Sequence, residues 1–350
     1  MKRVSVLLVL AGLAAVGCNS GSGEPAASNT TPAPSPTAPA PASGPAKKFV
    51  ITMIAKSSTN PVFMPAKTGA EAAAKEVGPT YNADIQIDWQ TPEKEDGQVQ
   101  AQNIQQAIAR HSDAILISCS DAAKVTGAIN DAVKAGIPVM TFDSDAPKSQ
   151  RFAFYGTDDI DCGARVMDEL AKQNGGNGTV AILAGNQNAP NLKKRVQGAQ
   201  DEAKKYPGIH IVGVFNHDET PQAASQKVME AMHANPQIDG WAMIGGWPLF
   251  AKSLLTDLPE GKVKIVSVDA LPEELAYVDK GIAPILLAQP IYEWGHQSVK
   301  IIADHCLGKK DVPPINKMEL VPVTKETLGA WANKLKSWGM DVDQKYLDMK

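Results

Sequence analysis

Ala114-Ile115-Leu116-Ile117-Ser118, the stretch 121–135, and Gly136-Ile137-Pro138-Val139-Met140-Thr141-Phe142-Asp143 together form one strand–helix–strand unit. The first and last runs are short, apolar and β-branched, without the alternation of a half-exposed strand. The middle run is helical in spacing and stopped by Gly136. Apolar strands separated by amphipathic helices predict a parallel sheet covered on both faces. Working outward, Phe49 to Ala55 reads as a strand, Ala66 to Val77 as a helix, Ile85 to Trp89 as a strand and Gly97 to Arg110 as a helix. After Phe152-Ala153-Phe154-Tyr155 the alternation restarts. Strands are expected at 179–183, 209–215, 240–244, 263–268 and 283–288. Helices are expected from Ile160, from Leu192, and over 223–233, 250–254, 273–279 and 293–306. The fold class is therefore α/β, with two doubly wound parallel-sheet, Rossmann-like lobes joined near Gly156 to Asp158.

Ligands of such sheets bind beyond the carboxyl ends of the strands, so the polar residues there are the candidate site. They are Lys56 to Phe63 after the first strand, Asp143-Ser144-Asp145 after the fourth, and Asn186-Gln187-Asn188 with Lys193-Lys194-Arg195 after the sixth. Gly245-Gly246-Trp247, Asp269 and Gln289 follow the eighth, ninth and tenth. Neutral hydrogen-bonding groups mixed with a few charges and aromatic rings suit a neutral polyhydroxylated ligand. Its hydroxyls donate and accept at once, and its C–H faces pack on rings. Each of these residues also has a plainer reading. Asn60 before Pro61 fits a helix-start cap, Asp143 a turn, Lys56 a salt bridge, and Trp247 a packing plug. Arg195, placed near a helix start, is disfavoured by the helix dipole, which argues for a specific use. Neither Asp143 nor Arg195 is assigned a packing role.

Four motifs, Asn60-Pro61-Val62-Phe63, Gly136 to Asp143, Val266-Ser267-Val268-Asp269 and Ala288-Gln289, occur in an order and spacing that resembles the type I periplasmic sugar-binding proteins. These are the ribose/galactose/autoinducer-2 receptors of ABC transporters. The resemblance implies two lobes on a multi-crossing hinge, no catalysis and no cofactor. It places a first lobe at 47–156 and 290–317 and a second at 157–289 and 318–350. It implies that Asn60 and Phe63 bond and stack on a sugar, that Asp143 and Asp269 bind hydroxyls, and that Arg195 and Gln289 contribute from the second lobe. Ser144 stands where the ribose receptor has Arg, and Gly245 where it has Asn. Lys56 and the run Thr141 to Asp145 look more like the autoinducer-2 receptor. The implied partners are a monosaccharide or small polyol and an inner-membrane ABC permease. The implied alternative is a sensor for a chemoreceptor or histidine kinase. The protein is expected to act as a monomer.

The chain begins with Lys2 and Arg3, an apolar run from Val4 to Val16, and Ala15-Val16-Gly17-Cys18. This reads as an export signal and resembles a bacterial lipobox, which implies a lipid on Cys18, a membrane anchor and a periplasmic or cell-surface location. Residues 19–46 hold seven prolines and a single charge, Glu24, and are expected to be a disordered tether.

Over the 350 residues, 34 Lys and Arg oppose 38 Asp and Glu, a net charge of −4 with no basic stripe, which argues against nucleic acid. No HExxH, CxxC or folded-region G-x-S-x-G occurs, so the motifs of metalloproteases, thiol redox proteins and serine hydrolases are missing. Cys119, Cys162 and Cys306 are odd in number, so at least one is expected to stay free; a Cys119–Cys162 bridge is not fixed by sequence.

Overall fold

The computed structural model describes residues 46–255, 258 and 261–349; Cys18 and most of the tether lie outside them. The first sheet has the order β11-β5-β4-β3-β1-β2. Its strands are β1 (Lys47–Ile54), β2 (Ala83–Trp89), β3 (Ala114–Ile117), β4 (Val139–Phe142), β5 (Ala153–Thr157) and β11 (Ile315–Met318). The second sheet has the order β12-β10-β9-β8-β6-β7. It contains β6 (Asn177–Ala184), β7 (Gly208–Asn216), β8 (Gly240–Met243), β9 (Lys264–Val268), β10 (Ile285–Ala288) and β12 (Val321–Val323). All pairings are parallel except β10 with β12. The central strands β3, β4 and β8 are wholly buried, which is why their sequences are continuous apolar runs rather than alternating ones.

Helices α1 (Phe63–Val77), α2 (Gly97–Ala109), α3 (Ala122–Lys134) and α8 (Ile291–Cys306) cover the first sheet. Helices α4 (Asp159–Gln173), α5 (Pro190–Ala203), α6 (Pro221–Ala234) and α7 (Leu275–Asp279) belong with the second. Asp96, Asp121, Asp158 and Thr220 cap the starts of α2, α3, α4 and α6 with side-chain oxygens, supplying acceptors to backbone N–H groups that have no helical partner. The chain passes between the sheets three times: from β5 to α4, from β10 to α8, and from β11 to β12. The closing helices α9 (Leu328–Ser337) and α10 (Gln344–Leu347) pack on each other, and α9 also packs on α7.

The helix expected over 250–254 does not form. Residues 247–249 make a single 3-10 turn, and the chain then continues through a bend and turns. Gly245, Gly246 and Pro248 are poor helix formers, and Trp247, Pro248, Leu249 and Phe250 are all buried in succession, which no single helix face can achieve. The three cysteines among the described residues, Cys119, Cys162 and Cys306, are all free.

Candidate functional site

The carboxyl ends of both sheets face one another across a small space of about 30 Å3. From the first lobe come Lys56, Asn60, Phe63 and Asp143; from the second come Arg195, Trp247, Asp269 and Gln289. The floor on the first-lobe side is tied together by Gln100, which is fully buried. Its amide donates to the carbonyls of Ala55 and Ser118, at the ends of β1 and β3, and accepts from the Ser120 amide. Asn60 is not the cap of α1: that position is Val62, and no side chain caps it. The Asn60 Oδ1 accepts from the Val62 amide at 3.3 Å in the turn before the helix, and the residue borders the cavity.

Asp143 and Asp269 both have positive φ, 54° and 75°. Each turns the chain sharply at a strand end and holds its carboxylate against the cavity. Asp143 accepts from the Ser118 hydroxyl at 2.7 Å and, across the lobes, from the Asn191 amide at 3.1 Å. Asp269 accepts from the Gln289 amide at 2.7 Å and from the Gly246 N–H at 3.2 Å. One such bond per oxygen leaves lone pairs for a ligand. Burial pushes the Asp269 carboxyl up.

Arg195 lies in the second turn of α5 rather than at its start, so the helix-dipole argument does not explain it. Its guanidinium is buried and spends three N–H groups on the protein: on Asp159 at 2.9 Å, on the Ile244 carbonyl at 3.2 Å, and on Gln289 at 2.7 Å. Two N–H groups remain. The close crossing of α4 and α5 makes this possible. A Cβ on Gly163 would fall 1.8 Å from the Arg195 carbonyl, and one on Gly198 would fall 2.0 Å from the Ile160 carbonyl. Burial raises Asp159 to about 6 despite Arg195 beside it. Trp247 folds over Gly245 and meets His217 edge-on at 4.8 Å. It is therefore both a packing element and a wall of the cavity.

Lys56 is 3% exposed and makes a salt bridge inside its own lobe with Glu95 at 3.1 Å, and a second across the cleft with Glu219 at 3.4 Å. Burial opposes its charge, but Glu219, Glu95 and Asp143 outweigh that and hold the ammonium above its ordinary range. One cation cannot neutralise two buried carboxylates. Burial and the neighbouring Glu219 therefore raise Glu95 to about 7, against the pull of Lys56. Asn186 completes the cluster by donating to both glutamates.

Sequence reasoning missed Glu219, Glu95, Asn191 and Trp294. Glu219 follows β7, so the strand-end rule would have found it; Asn191 follows Asn186 to Asn188 after β6. Glu95 lies in the loop after β2, where the same rule applies. Trp294, expected to be core or surface, lines the cavity and packs on Phe63 and Phe142 at 5.9 and 6.3 Å. Ser144 is corrected in the other direction. It is buried and does not line the cavity, because the left-handed turn at Asp143 redirects the chain before it. Asp145 pairs with Arg151 at 2.5 Å and accepts from Thr141, away from the cavity. No cluster of metal-ligating side chains occurs among the described residues.

The geometry matches known proteins. Residues 51–310 match the periplasmic binding protein domain. The ribose import binding protein RbsB of Escherichia coli is 24% identical over 280 residues, covering 80% of this chain and 92% of that protein. A solute-binding protein of an ABC transporter from Burkholderia graminis, solved with D-arabinose, is 28% identical with a TM-score of 0.75, covering 81% of this chain and 97% of its own. GanP, a glucose–galactose binding protein from Geobacillus stearothermophilus, is 27% identical with a TM-score of 0.74, covering 81% and 99%. With three inter-lobe crossings, a cleft at the strand ends and a family match over most of its folded length, this chain belongs to the periplasmic binding protein family, whose members bind solutes rather than transform them.

Proposed function

We propose that the protein is the extracytoplasmic sugar-binding component of an ABC importer, taking a monosaccharide or similar small polyol between its lobes and delivering it to a membrane permease. The observation that carries this reading is the pair of strand-end aspartates, Asp143 and Asp269. Each comes from a different lobe, and each faces the same cavity beside Phe63, Trp247 and Trp294. Carboxylates accept from sugar hydroxyls, and the rings cover the C–H faces. Arg195 and Gln289 donate to ring or hydroxyl oxygens, and Lys56 and Asn60 complete the polar set. The ligands named for the similar proteins, ribose, D-arabinose and glucose or galactose, are neutral sugars of this kind.

The two lobes run over 47–156 with 290–317 and over 157–289 with 318–350. Cleavage before Cys18 and lipid on that residue would hold the protein at a membrane, with 19–46 as the tether. Cys18→Ser is then expected to move the protein from the membrane to the soluble fraction of the producing cell.

A thermal-shift panel of pentoses, hexoses, deoxysugars and polyols tests the binding function. A sugar present at 100 times its dissociation constant adds about 2.7 kcal/mol of stability. Absence of stabilisation by every member of the panel would remove the carbohydrate assignment.

A further inference from the structure

Helices α9 and α10 lie beyond residue 310, where the match to the family domain ends. They follow β12, the last strand of the second sheet, and are anchored on the second lobe. Helix α9 packs on α7, and the buried Trp331 donates to the carbonyl of Ala270, just past β9, at 2.8 Å. Lys345 of α10 pairs with the carboxylate of Asp279 at the end of α7, and Lys325, before α9, donates to the Asp279 carbonyl at 3.4 Å.

The far end of α9 reaches the other lobe. Trp338 caps its carboxyl end and is 7% exposed. The ring lies flat on Tyr292, with centroids 5.6 Å apart and planes 2° from parallel, and Trp331 buttresses it edge-on at 5.6 Å. Tyr292 belongs to α8, which covers the first sheet and packs on α1. It stands two residues past Pro290, where the chain crosses from β10 to α8. A rotation of the lobes at that crossing therefore turns the Tyr292 ring against a Trp338 ring fixed to the opposite lobe. The flat stack exists in the arrangement in which Lys56 meets Glu219 and Asn191 meets Asp143 across the cleft, and a lobe rotation tilts it.

We propose that α9 and α10 form a strap across the hinge, which clamps the second lobe to the first through Trp338 on Tyr292 and biases the protein toward the closed arrangement. Neither ring borders the sugar cavity, so the strap acts on affinity through closure alone. A ligand that needs the closed form binds in proportion to the fraction of protein that is closed. The proposal rests on lobe closure and not on the identity of the ligand.

Trp338→Ala, Tyr292→Ala and the double variant, each in the full chain, are titrated calorimetrically with D-ribose, D-arabinose and D-galactose. Each single variant is expected to weaken every sugar that binds by one common factor of roughly two- to tenfold, the worth of an aromatic pair. The double variant is expected to lose no more than the larger single loss. Closure without sugar is read from the distance between spin labels on Lys94→Cys and Asp218→Cys, which line the cleft from opposite lobes. Cys18→Ser and Cys306→Ser remove the other thiols outside the core, since Cys119 and Cys162 are buried. Both strap variants are expected to shift the labels toward longer separations. If Trp338→Ala does not fold, Tyr292→Ala removes the other half of the stack and carries the test. Affinities and label distances that both stay at the wild-type values would overturn the strap, as would losses that differ from sugar to sugar or that add in the double variant. Failure of all three sugars in wild type would count against the carbohydrate reading, and the label distances then decide the strap by themselves.

Discussion

Asp143 and Asp269 show how one residue type meets two demands at once. A left-handed φ is costly for most side chains, and Asp and Asn tolerate it best. The carboxylate is also the acceptor that a hydroxylated ligand needs. Asp143→Asn keeps the turn, and its amide can still pair with the Ser118 hydroxyl and Asn191, so the free protein should lose little stability. It loses the charge. Hydrogen bonds to charged groups are worth about 1.5–3 kcal/mol against about 0.5–1.5 for neutral ones, so sugar affinity by calorimetry is expected to fall roughly five- to thirtyfold. Asp143→Ala differs from the expectation raised by sequence. It strands two buried partners and should lower the melting temperature as well. Glu95 sets a pH dependence. Its folded pKa of about 7 lies above the ordinary glutamate value of 4.5, so between those values the folded state holds the proton that the unfolded chain has released. Stability from this group is therefore complete below about pH 4.5 and falls as pH rises toward 7, by at most about 1.4 kcal/mol per pH unit. Asp159 acts in the same direction up to about pH 6. In melting curves from pH 5 to 7.5, Glu95→Gln should decline less than wild type; an identical slope would remove Glu95 as the titrating group.

At the scale of elements, each lobe crosses two helices at close range through glycine. Gly69 and Gly295 bring α1 against α8, as Gly163 and Gly198 bring α4 against α5. The second crossing shapes the candidate site, because it sets Arg195 beside Asp159 and Gln289. A Cβ at Gly163 meets backbone rather than a flexible side chain, so α5 has to shift. Gly163→Ala is expected to cost about 1–3 kcal/mol in denaturant unfolding and to weaken sugar binding, since the guanidinium moves with its helix. Stability loss with unchanged affinity would show that Arg195 is held by its hydrogen bonds alone.

At the scale of the whole molecule, the cleft is closed by polar contacts between lobes: Lys56 with Glu219, Asn186 with Glu95, and Asn191 with Asp143. The inner space of about 30 Å3 is far below the roughly 300–1,000 Å3 of small-molecule sites, so a sugar enters only if the lobes part. The three crossings allow this. The C-terminal segment spans the same region, with Trp331 donating to the Ala270 carbonyl at 2.8 Å and Trp338 stacked on Tyr292 of α8 at 5.6 Å. Small-angle scattering is expected to give a smaller radius of gyration with saturating sugar than without; an unchanged radius would remove hinge closure from the mechanism.

Local sequence determined the two sheets. Buried parallel strands must be apolar throughout, helices must carry one apolar face, and glycines and caps mark the ends; all of these are properties of neighbouring residues. The strand-end rule then brought Lys56, Asn60, Phe63, Asp143, Arg195, Trp247, Asp269 and Gln289 into view as one group. Tertiary structure decided what each of them touches. Glu95 and Glu219 lie 124 positions apart, and only lobe closure brings both to Lys56. Ser144 adjoins Asp143 in sequence yet is turned from the cavity by a single left-handed φ, and Trp294 reads as one more core residue until its helix is set against β4. Burial and charge compensation come from long-range packing, which no local pattern encodes.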